Sequence, residues 1–85
     1  MWTLDMILEI LEENTQRATY GAVAGVVGGI ARGVMSPRPR TPRNSWVVSK
    51  ATRRPTGYFP HEMHPQLFSK SHVITDGDEL WSLLG

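Results

Sequence analysis

Cysteine is absent from these 85 residues, so no disulfide staples the chain, and the absence is compatible with any redox compartment. A chain of 9.5 kDa buries little surface on folding, and below about 70–80 residues a core usually needs disulfides, a metal or a partner. Proline is missing before Pro37. All six prolines lie between Pro37 and Pro65, which excludes a long regular element from the middle of the chain. Apolar residues make up 40% but are concentrated in residues 2–35 and a few later anchors. These shortages argue against a self-contained enzyme. No nucleophile–base pair, phosphate-binding glycine loop or supported pair of acids can be drawn, and Gly28-Gly29 lacks a nucleotide motif's context.

Charge of one sign is missing from whole blocks. Residues 1–16 hold Asp5, Glu9, Glu12 and Glu13 without a base. Residues 17–54 hold Arg17, Arg32, Arg38, Arg40, Arg43, Lys50, Arg53 and Arg54 without an acid, and residues 55–85 set Lys70 against Glu62, Asp76, Asp78 and Glu79. The net charge of +1 conceals this segregation, which bears on placement.

Residues 1–17 read as an acidic amphipathic helix. Leu4, Ile7, Leu8 and Leu11 share one helical face, the four acids share another, and Thr3 is a fitting N-cap. The missing bases exclude a secretory signal or a cleavable presequence. Nothing breaks the run before Tyr20, so the helix is expected to continue.

Residues 18–35 carry no charge from Ala18 to Ala31 and no Pro, Asn, Asp or Ser. Gly21, Gly25, Gly29 and Gly33 recur every four positions and form a ridge along one helix side, widened by Gly28. A bilayer core needs about 20 apolar residues, so the length is marginal, but a bare ridge suits close helix packing in lipid. The expectation is a single transmembrane helix. Arg32, Arg38, Arg40 and Arg43 follow it and set headgroup contact and topology, placing the later residues on the cytoplasmic or matrix side.

Residues 36–74 are expected to be a basic, extended, irregular tail. Trp46, Tyr58, Phe59 and Phe68 recur along it, and Trp81 follows; such anchors suit a segment laid over a partner protein. Among bases, aromatics also suit stacking on nucleic acid, here the less favoured partner. His61, His64 and His72 do not converge on a metal in this proline-enclosed stretch, and no cofactor is expected. Residues 75–85 start like a helix, with Thr75 or Asp76 as cap.

An acidic helix, a glycine-ridged span and a Pro-, aromatic- and base-rich tail together resemble the small single-pass accessory subunits of mitochondrial respiratory complexes and of the ATP synthase. The resemblance implies a mainly α fold without catalytic residues. It also implies an assembly role in an inner-membrane electron-transport or proton-driven complex, the tail in the matrix, and partners among neighbouring subunits and lipid. Two other readings stand beside it: a small viral or phage membrane or capsid protein oligomerising through the ridge, and an RNA-binding tail protein of a large assembly.

Overall fold

Thr3 does begin the first helix. Its hydroxyl accepts from the Met6 N–H at 3.2 Å, and α1 runs over Leu4–Asn14 with Ile7, Leu8 and Leu11 buried. The computed structural model describes residues 2–31, 33–35 and 38–85.

The expected continuation to Tyr20 fails at Thr15. Its φ of 47° is left-handed, its N–H reaches the Glu12 carbonyl, and the Gln16 N–H closes back on the Leu11 carbonyl at 2.9 Å. These bonds satisfy carbonyls that a longer helix would have used. The chain then extends into strand β1, Arg17–Thr19, which is buried throughout.

β1 is the centre of a parallel three-stranded sheet in the order β2-β1-β3, with β2 at Val47–Val48 and β3 at Val73–Ile74. Ala18 lies opposite both Val47 and Ile74. Extended backbone here has hydrogen-bond partners on both sides, which a helix at the same place would forgo.

Thr19 turns the chain into α2, Tyr20–Val27, its hydroxyl accepting from the Ala22 N–H. Gly28 ends it at φ 84°, donating to the Ala24 carbonyl at 2.8 Å. Eight residues make a helix of about 12 Å, against a bilayer core of about 30 Å. Among the described residues no helix is long and apolar enough to cross a membrane. The transmembrane span over 18–35, the membrane character and the inner-membrane location with a matrix tail are therefore corrected. Of the apolar side chains in that segment, Ala22 and Val23 face the protein's own core, Val26 and Val27 pack partly against it, and Ile30 is 74% exposed.

The described residues 38–74 depart equally from the irregular tail expected over 36–74. A 3-10 turn at Pro42–Trp46 leads straight into β2, a second covers Pro60–Glu62, and Leu67 is fully buried. The last helix, α3, spans Gly77–Leu84 behind the Asp76 cap and buries Leu80 and Leu84. Among the described residues the architecture is thus three helices and a small parallel sheet, in place of one long helix and a strap. One core holds them together, formed by Ile7, Leu8 and Leu11 with Ala18, Val23, Trp46, Val47, Leu67, Ile74 and Leu80.

Candidate functional site

The sheet's β2 side opens onto a cleft of about 650 Å³. Tyr20 enters it from the first turn of α2, Val47 and Ser49 from β2 and its end, and Thr56 and Tyr58 from the loop beyond. Arg38, Pro39, Arg40 and Asn44 close the opposite wall.

Hydrogen bonds hold these walls in place. The Tyr20 hydroxyl accepts from the Thr56 N–H at 2.9 Å, tying helix to loop. Asn44 donates through Nδ2 to the Pro39 carbonyl at 2.9 Å, and the Tyr58 hydroxyl donates to the same carbonyl at 3.4 Å. Gly57 is at φ 76°, and a β-carbon there would stand 3.2 Å from Arg40 Nη2, so the bare backbone leaves room for the guanidinium. Burial pushes the Tyr58 phenol above its ordinary pKa, with the neighbouring Tyr20 adding to the effect, so the Tyr58 ring is neutral at physiological pH.

The two cations of the cleft differ. Arg38 is bonded through Nη1 to Asp5 Oδ1 at 2.6 Å, and this pairing holds the Asp5 carboxyl below its usual range. Nearby, outside the cleft wall, Arg43 is 3.8 Å from Glu12. Arg40 has no ion pair among the described residues. The result is a recess with two phenols, an amide, two hydroxyls and one uncompensated guanidinium. Such a set suits an anionic ligand carrying a planar ring; among the described residues it contains no nucleophile with an adjacent base.

The residues singled out in the sequence fall in scattered places. Tyr58 and Arg40 meet in the cleft, with Arg38 beside them. Trp46 is fully buried in the core, its ring 4.8 Å from His64. Phe59, 66% exposed, stacks on His61, while Phe68 and Trp81 are about half exposed elsewhere. Of the glycine ridge, Gly25 faces Gly77 of α3, and Gly33 lies near the Ile30 side chain. A β-carbon placed on Gly21, Gly28 or Gly29 would meet nothing within 4 Å. Arg32 lies outside the described residues. His64 and His72 engage Glu12 and Glu79 separately, and no group of three metal-ligating side chains occurs among the described residues.

Sequence reasoning passed over Tyr20, Asn44, Ser49 and Thr56. Tyr20 had a signal: its hydroxyl is out of place in an apolar run and needs a partner when buried. Comparison with protein families, with curated proteins and with solved structures finds no match for this chain.

Proposed function

We propose that this protein is a non-catalytic nucleic-acid-binding module whose cleft holds one nucleotide. The observation that carries the reading is the meeting of Tyr20, Tyr58 and the unpaired Arg40 in one recess. A base has a π-face for tyrosine, worth about 1–3 kcal/mol when stacked, and its phosphate suits a free guanidinium. The acid-free block from Arg17 to Arg54 supplies the long-range attraction that a polyanion needs. With no membrane-spanning helix among the described residues, nucleic acid moves ahead of lipid as the partner of these bases.

Fluorescence anisotropy with short labelled single-stranded and duplex oligonucleotides of DNA and RNA tests the reading. Binding that falls with salt and weakens about tenfold in Tyr58→Ala, the loss of one stacked base, supports it. Arg40→Ala lowers the salt slope by about 1. No binding by the unaltered protein at low salt, or undiminished binding by both variants, rejects it.

A further inference from the structure

A second cationic cluster lies beside the cleft, organised by a buried arginine. Arg17, on central strand β1, is only 6% exposed. Its Nη1 donates to the Arg53 carbonyl at 2.9 Å and its Nη2 to the Lys70 carbonyl at 2.7 Å. One guanidinium therefore staples the backbone of the Arg53–Arg54 loop and that of the Lys70 loop to one strand, and Arg53, Arg54 and Lys70 are all exposed there. The carbon of the Arg17 guanidinium lies 4.9 Å from the Phe68 ring centroid, and that of Arg54 lies 5.3 Å from it.

This convergence of like charge is left uncompensated. Among the described residues, no carboxylate pairs with Arg17, Arg53, Arg54 or Lys70. Arg17 Nε is buried without a hydrogen-bond partner, so two carbonyls and a ring face are what stabilise the cation. Buried charge without a counterion is costly: burial lowers the Arg17 pKa, and neighbouring Arg53 lowers it further. Arg53 is itself held at φ 61°, a strained conformation for a residue with a side chain. A bound anion relieves the repulsion.

The cluster is continuous with the cleft. Ser49, which lines the cleft, donates its N–H to the Arg54 carbonyl at 2.9 Å, and the Arg53 N–H donates to the Ser49 carbonyl at 2.7 Å. Thr56 of the cleft wall follows Arg54 by two residues.

We propose that Arg54 and Lys70, with Phe68 and Arg17 as positioning residues, form a second site that takes a backbone phosphate of the strand held in the cleft. The assignment rests on the nucleic-acid reading, and its test separates the two. Labelled single-stranded DNA of about 16 nucleotides and a labelled mononucleotide are titrated against the protein across a range of salt. Arg54→Ala combined with Lys70→Ala weakens the long strand severalfold and lowers the salt slope by about 0.7, the loss of one neutralised phosphate on a single strand, while the mononucleotide binds as before. Phe68→Ala weakens the strand in the same sense, and Phe68→Tyr, which keeps a ring for the guanidiniums, restores it. Should Phe68→Ala fail to fold, the double variant decides alone. An unchanged long-strand affinity and salt slope in the double variant overturns the second site and leaves the cleft standing. Failure of the unaltered protein to bind either probe removes both proposals.

Discussion

Gly25 of α2 and Gly77 of α3 lie face to face: a β-carbon on Gly25 would stand 3.7 Å from the Gly77 Cα, an ordinary van der Waals distance. The contact therefore accepts a methyl without strain. Gly25→Ala is expected to be neutral or to stabilise by up to about 1 kcal/mol, because alanine is the better helix former. Gly25→Leu forces the helices apart and costs about 1–3 kcal/mol. Thermal unfolding of the two variants checks this, and equal melting of Leu and wild type would remove the close approach.

Gly57 is expected to be far less forgiving. Its φ of 76° is left-handed, and a β-carbon there meets Arg40 Nη2 at 3.2 Å and Nε at 3.3 Å. Gly57→Ala costs about 1–2 kcal/mol of backbone strain and shifts the Arg40 guanidinium by a few tenths of an ångström from its place beside Gly57. Binding of an anionic nucleotide then drops more than stability does. Paired melting and titration experiments separate the two effects.

Asp5→Asn tests the pairing with Arg38. The Asp5 carboxyl titrates below its ordinary value of 3.8 when folded, so its stabilisation is present above that value and is lost as pH falls through the folded pKa. The difference in melting temperature between wild type and Asp5→Asn is expected to shrink as pH falls below about 4 and to shrink with salt at neutral pH. Arg38 lines the cleft, so the same variant, by freeing this guanidinium, tightens binding of a nucleotide at neutral pH.

Arg17 is a staple whose geometry a lysine cannot copy. Its planar fork reaches two carbonyls at once, whereas an ammonium on a flexible stem does not present two parallel donors. Arg17→Ala is expected to cost on the order of 2–4 kcal/mol, and Arg17→Lys to recover only part. Urea unfolding midpoints measure both, and full recovery by lysine counts against the two-loop bridge.

Local features of the fold were legible in the chain. The period of Leu4, Ile7, Leu8 and Leu11, the Thr3 cap and the Asp76 cap each act within a few residues, and the structure uses all of them. The cleft was only partly legible. Arg40 and Tyr58 stood out by charge and aromaticity, but Tyr20 was hidden in an apolar run, and its bond to the Thr56 N–H joins residues 36 positions apart.

What the amino-acid order determined alone was where the first and last helices start, which face of the first is apolar, and that bases and acids occupy separate blocks. Tertiary structure decided the rest. Arg17–Thr19 is a strand because Val47–Val48 and Val73–Ile74 arrive on either side of it, a pairing that no local period encodes. Gly25 meets a helix of the same chain for a similar reason: once Ala22 and Val23 have a core to enter, burial in protein replaces burial in lipid.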